Sequence, residues 1–277
     1  MRAKQFTGKD IIAAVLTTAF LLGNLALVGT TGRERAKRAV CLANLDKLTE
    51  AWISYADDND GRIVNGEAEY ATPGGCSTPS SGRHKNEKWW VGTDVDPSYM
   101  VGKQLAEDVQ IRAIRAGALF PYCGTENLYH CPSGIRAGVR SYAITDAMNG
   151  LYRDGTHNVD VGVKVGETVL WVKNRSEIVV PGPAFRLVFV DEGRPTPDSY
   201  AVHYLNARWW DPSPVRHDDG TNVSFADGHS EHWTWEAAET VANGGAAKPF
   251  YQYMPTTPAG KRDLQRMQVA VWGRLGY

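Results

Sequence analysis

The sequence has almost no charge imbalance. Its 277 residues carry 30 Lys and Arg against 31 Asp and Glu, a formal net charge of −1. Without a sequence-wide basic field there is no electrostatic reason to expect a nucleic-acid partner. The short signatures of common catalytic chemistry are also missing: there is no Gly-x-Ser-x-Gly, no His-Glu-x-x-His and no Walker phosphate loop. Cysteine is sparse, at four residues. With 43% apolar and 22% charged residues, the composition lacks the bias of a disordered chain or a multi-span membrane protein. Long apolar runs are absent after residue 30, and after residue 60 Gly and Pro recur, so short strands joined by turns are expected there. The length suits one large domain or two small ones.

The N-terminal region differs from the rest. Ile11–Gly29 has no charged residue, and its polar residues are Thr17, Thr18 and Asn24. A helix of this length would span about 28 Å, near the thickness of a bilayer's hydrocarbon core. It reads as a cleaved secretory signal with a basic leader, as a membrane anchor, or as the assembly helix of a filament subunit; a buried core helix is the bland alternative. The flanking charges, Arg2, Lys4 and Lys9 on one side and Arg33, Arg35, Lys37 and Arg38 on the other, leave orientation open. Helical spacing continues through Arg33–Ala56, which has no Gly or Pro and places Val40, Leu45, Leu48, Trp52 and Tyr55 on a common side with Cys41 beside them. Asp57-Asp58-Asn59-Asp60-Gly61 is the expected stop.

Several motifs resemble one family. Phe6-Thr7-Gly8-Lys9-Asp10-Ile11-Ile12 is similar to the mature N-terminus of type IV pilins and type II secretion pseudopilins, with Gln5 where the processing enzyme expects Gly. Arg38–Leu45, Tyr55–Gly61, Gly117–Tyr122 and Tyr129–Ser133 resemble segments of a pilin-like group. His217, followed by nine residues and then Asp227-Gly228, resembles the His-x9-Asp-Gly element of that group's C-terminal region. The resemblance implies Phe6 as the processed residue, and Asp10 as an acid that pairs with a neighbour's amine during assembly. A carboxylate in an apolar run needs such a partner. An interfacial acid or helix N-cap is the alternative role for Asp10.

Around His217 the alternation of Asn222, Ser224 and Ala226 with Val223 and Phe225, followed by Asp227-Gly228, predicts a β-hairpin. The competing reading is a metal site drawn from His217, Asp218, Asp219, Asp227, His229 and His232. Ala56–Glu67 has a partial calcium-loop register, with Gly61 sixth and Glu67 twelfth but Ala56 where a first carboxylate belongs. Asp58 and Asp60 are its candidate ligands, against a plain solvated helix stop. Four cysteines allow three pairings of two bridges. Cys41 lies on the helix face expected to meet the sheet, and the resemblance places a cysteine before Pro132. Cys41–Cys131 with Cys76–Cys123 is therefore the expected arrangement, with four separate thiols as the alternative. Trp89-Trp90, Trp209-Trp210 and Trp233/Trp235 serve either packing or a ligand platform. Leu264, Met267, Val271 and Trp272 predict a helix over Lys261–Trp272.

The expected fold is α+β and pilin-like: a long N-terminal helix, hydrophobic in its first half, on an antiparallel β-rich head with long loops and a short C-terminal helix. The expected boundaries are 1–31 for the leader-like and apolar segment, 32–60 for the amphipathic continuation and 61–277 for the head. The expected function is a non-enzymatic subunit that self-associates through that helix into an extracellular filament or secretion pseudopilus, after a stage at the inner membrane. A membrane-anchored surface protein that binds glycan or protein is the second expectation, and a metal-dependent hydrolase the third. No cofactor is expected beyond a structural calcium or other divalent ion.

Overall fold

In the computed structural model the described residues are 8–68, 84, 87–94, 105–134, 138–152, 162–193, 196, 198–246 and 251–277, with the backbone alone described for 8–30. Helix α1 (Gly8–Asp58) opens the chain. Cys41, Leu45, Leu48, Trp52 and Ala56 recur along it at three- and four-residue spacing, and all five are fully buried. They form one stripe of a 3.6-residue period. Residues 31–40 of the same helix include no buried side chain. The helix stops at Gly61, whose φ of +78° suits glycine and whose amide bonds the Ala56 carbonyl at 2.8 Å.

Strands β1 (Asn65–Ala68) and β2 (Trp89–Val91) pair in parallel. Helices α2 (Glu107–Ala116) and α3 (Phe120–Cys123) and a 3-10 turn at Glu126–Tyr129 lead to β3 (Tyr142–Ile144). A two-stranded ribbon, β4 (Lys164–Val165) with β5 (Thr168–Val169), precedes β6 (Leu187–Asp191), β7 (Gly220–Phe225) and β8 (Ser230–Thr234). The largest sheet is antiparallel with the order β3-β6-β7-β8. Helices α4 (Ala238–Gly245) and α5 (Pro258–Trp272) complete the fold.

The β7–β8 hairpin aligns Gly220 with Thr234 and Ser224 with Ser230. Its turn is closed by Gly228, which is left-handed at φ +106°, and by the Asp227 carboxylate accepting from the His229 amide at 3.2 Å. Every residue of β7 is buried because helices cover both faces. On the α1 side its residues are polar and are hydrogen-bonded rather than greasy. Thr49 Oγ1 donates to Ser224 Oγ at 2.7 Å, and Asn222 Nδ2 donates to the Arg38 carbonyl at 3.5 Å. On the far side Val190, Val223 and Phe225 pack with Leu264, Met267, Val271 and Trp272 of α5. Each such aliphatic side chain contributes roughly 1.5–3 kcal/mol by leaving water. Thr257 caps α5 by accepting from the Gly260 amide at 3.0 Å, and Pro258 occupies its first turn.

The pilin-like architecture expected from the sequence is corrected by this arrangement. Among the described residues no helix is long and apolar enough to cross a membrane. The described side chains of α1 begin with a strongly charged stretch, Arg33-Glu34-Arg35-Ala36-Lys37-Arg38, and continue as an amphipathic segment, so a membrane-type helix is not what they build. The β-rich head is corrected as well. Among the described residues the fold is α+β with five helices and three small sheets, one of them parallel, and no strand exceeds six residues. Frequent Gly and Pro cut the strands short. The second half of α1 is part of the main core rather than a stalk beneath a separate head, since Leu45, Leu48 and Trp52 pack in one cluster with Ile144, Val188 and Phe189 of the sheet.

Candidate metal centre

Three segments converge beneath α1. The helix brings Cys41 down from above, and β6 ends there in Asp191 after the apolar run Leu187–Val190. The segment after the 3-10 turn supplies Cys131, fixed by its amide bonding Ser141 Oγ at 2.6 Å and its carbonyl accepting from Gly134 at 2.7 Å. His217 enters from the turn before β7. Both His217 and Asp218 are left-handed there, with φ of 53° and 73°. Asn, Asp and His are the non-glycine residues that most readily accept this region, at a cost of order 1–3 kcal/mol. Gly220 closes the turn, and a Cβ at that position would stand 1.9 Å from the Trp233 carbonyl oxygen.

One ligand atom from each of Cys41, Cys131, Asp191 and His217 lies within 4.8 Å of all the others, and all four residues are buried. Cys131 Sγ is 3.0 Å from His217 Nε2, Cys41 Sγ is 3.2 Å from Asp191 Oδ2, and Asp191 Oδ2 is 3.7 Å from His217 Nε2. Around them stand outer donors. Tyr142 Oη donates to Cys41 Sγ at 3.3 Å, the Ser133 amide donates to Cys131 Sγ at 3.3 Å, and Ser133 Oγ lies 3.4 Å from His217 Nδ1. Asp191 Oδ1 is buried and has no hydrogen-bond partner among the described residues. Burial pushes the Cys41 thiol far above its ordinary range, aided by its hydrogen bond with Cys131 and the Asp191 charge. The bond from Cys41 holds Cys131 below the ordinary thiol range against burial, with His217 adding to it. Burial disfavours a charged His217, but the bonds to Asp191 and Cys131 outweigh it and hold the ring at about 9.

A cysteine, a histidine and an aspartate in contact invite comparison with a nucleophile relay. In such a relay the carboxylate binds one imidazole nitrogen while the other faces the nucleophile. Here Cys131 and Asp191 both approach Nε2, and Nδ1 faces Ser133. The donors point at one spot instead of forming a chain. A set of buried thiols, imidazole and carboxylate gathered this way could hold a metal ion.

The other sequence-predicted candidates are placed elsewhere. His217 and Asp227 lie at opposite ends of β7, whose six residues span about 20 Å. The six-residue metal reading is therefore corrected: its members are dispersed along the hairpin. Asp227 serves the hairpin turn, Asp218 and Asp219 are exposed, His229 stacks on Phe225 at 4.5 Å, and His232 Nδ1 lies 2.8 Å from Asn222 Oδ1. The calcium-loop residues also have separate partners. Asp58 accepts from Tyr122 Oη at 3.0 Å, and Glu67 lies 3.2 Å from His84 Nε2. The Asp60 main-chain carbonyl, left-handed at φ 56°, accepts from Asn174 Nδ2 at 3.0 Å. Cys41 and Cys131 are neighbours, as their expected pairing requires, but they stand as free thiols. Cys123 is also a free thiol, 3.5 Å from Tyr129 Oη, while Cys76 and Phe6 lie outside the described residues, as does the side chain of Asp10.

Four of the six tryptophans singled out above are in the core, while Trp89 and Trp210 are half-buried. Trp90 is fully buried beside Tyr129 and Phe189, and Trp209, Trp233 and Trp235 are buried together, meeting edge to face. The residue that sequence reasoning missed is Asp191. Its one signal is a carboxylate closing an otherwise apolar strand, Leu187-Val188-Phe189-Val190-Asp191. No family profile, curated protein or solved structure matches the chain, so the similarity to pilin-like proteins rests on the motifs quoted above.

Proposed function

We propose that the chain is a non-catalytic structural subunit that self-associates through the N-terminal part of α1. The observation that carries this reading is the division of that helix. From Cys41 onward its apolar stripe is buried in the body, residues 31–40 bury nothing, and the backbone remains helical back to Gly8. The sequence of Ile11–Gly29, without a charged residue, favours contact with other copies over exposure to water. The motifs of Phe6–Ile12, Arg38–Leu45 and His217–Gly228 support the same reading through their likeness to pilin-like proteins. The sealed, convergent geometry of the Cys/Asp/His cluster favours a structural role over a catalytic one. The second expectation, a ligand-binding surface protein, has less support with Trp90, Trp209, Trp233 and Trp235 in the core.

The test compares the full chain with a version lacking residues 1–31, using light scattering and electron microscopy. The full chain is expected to assemble beyond a dimer, and the shortened chain to remain a monomer with a cooperative unfolding transition. A full chain that stays monomeric, or a shortened chain that assembles equally well, overturns the proposal.

A further inference from the structure

We infer that Cys41, Cys131, Asp191 and His217 bind one zinc ion, which staples α1 to the end of the sheet. Four residues separated by up to 176 positions along the chain present their ligand atoms within 4.8 Å of one another. A tetrahedral zinc with two sulfur, one nitrogen and one oxygen ligand holds those atoms roughly 3.3–3.8 Å apart. The sulfur contacts of 3.0 and 3.2 Å need only open slightly, and the nitrogen–oxygen contact of 3.7 Å close slightly, to reach that geometry. Two thiolates with an imidazole and a carboxylate suit zinc, and poorly suit calcium or magnesium, which take hard oxygen ligands.

A second, independent observation points the same way. Asp191 is fully buried, and its Oδ1 has no partner among the described residues. A carboxylate in that position calls for a cation. The outer contacts also fit a metal site. Donors from Tyr142 and the Ser133 amide reach the two sulfurs, and Ser133 Oγ reaches the ring nitrogen turned away from the cluster. With four buried protein ligands, the site is of the closed, structural kind. The rival arrangement is a Cys41–Cys131 disulfide beside a simple Asp191–His217 ion pair.

The full chain, purified under reducing conditions and supplied with Zn²⁺, is expected to retain about one zinc per chain by elemental analysis after dialysis. Replacement by Co²⁺ should give the intense visible absorption of a tetrahedral, thiolate-bound ion. His217→Ala and Cys131→Ser should each weaken zinc binding at least tenfold, as Asp191→Asn should, while Cys123→Ser keeps full stoichiometry. Where a variant fails to fold, the cobalt spectrum and metal content of the unaltered chain decide the matter. A disulfide between Cys41 and Cys131 in peptide mapping overturns the inference. So does reduced, folded protein without bound zinc, or a folded His217→Ala protein that binds zinc as tightly as the parent.

Discussion

His84 and His217 are buried to similar depth, at 5% and 4% exposure, and carboxylates hold both near 9 against the effect of burial. Their surroundings differ in a way that separates a structural ion pair from a ligand site. His84 lies between two acids, 3.2 Å from Glu67 and 2.9 Å from Glu87. Glu87 also accepts from Lys173 Nζ at 2.6 Å and from Asn149 Nδ2 at 3.0 Å. Nδ1 of His84 faces Glu87, Nε2 faces Glu67 and the Gly150 carbonyl at 3.1 Å, Lys173 brings a cation to the cluster, and the edge of Trp171 covers the ring at 5.7 Å. Around His217 the acid and one thiol crowd the same nitrogen, and a second thiol, that of Cys41, meets the acid at 3.2 Å. A buried histidine flanked by carboxylates is thus an incomplete description. Whether the neighbours surround the ring or converge with it on one point decides what the group can do.

The largest expected effect breaks the comparison at the His217 cluster. At free zinc a thousandfold above its dissociation constant, the bound ion adds about 4 kcal/mol to stability. Stripping zinc with a chelator should lower the unfolding free energy by about that amount in urea titrations monitored by tryptophan fluorescence. The same chelator should shift His84→Ala protein equally, because the two clusters share no residue and their effects should add. A chelator shift that vanishes in His84→Ala protein would mean that the clusters are coupled.

Next in size is the His84 cluster itself. His84→Ala leaves Glu67 and Glu87 facing each other with Lys173 as the remaining cation. Removing one partner of a buried ionic set costs about 3–5 kcal/mol. Glu87 is 30% exposed, so about 3 kcal/mol is expected. Zinc content should be unchanged. A loss below about 1 kcal/mol would show that water replaces the ring, and that the cluster is looser than its geometry suggests.

Much of the frame was readable from local pattern. Leu45, Leu48 and Trp52 carry the helical period of α1, Asp227-Gly228 marks the hairpin turn, and Leu264, Met267 and Val271 mark α5. These signals are local because backbone hydrogen bonding and one buried face set them. The metal centre was readable only in pieces. Cys41, Cys131 and His217 each stood out, but spacing cannot distinguish a bridge from two thiols that share a ligand. Asp191 was hidden because an acid at a strand end ordinarily faces water, and only α1 lying across that end buries it. The parallel pairing of β1 with β2 joins short strands about 20 residues apart and has no local signature. The pilin-like architecture failed for another reason. An apolar run was extended into a membrane-type helix, but the described side chains of α1 are charged on one side and docked on the other.

The smallest effect sharpens the comparison through pH. Against an ordinary value of 6.5, burial lowers His84 but its bonds to Glu67 and Glu87 win and raise it to about 9. Folding therefore favours the protonated ring. That contribution is complete below 6.5 and is lost as pH rises from 6.5 through 9. Burial raises Glu87, but its bonds to His84, Lys173 and Asn149 bring it down from 4.5 to about 2. Its contribution is complete above 4.5 and is lost as pH falls from there toward 2. The stability gap between parent and His84→Ala protein should accordingly be widest between 4.5 and 6.5, and should narrow toward pH 9.5. Using the difference between the two proteins removes every titration they share, including any at His217. Urea midpoints at pH 6 and 9.5, with zinc saturating throughout, provide the measurement. A gap that stays level or widens over that interval would mean that the ring is neutral in the folded state, and that the two acids are held by Lys173 and backbone donors instead.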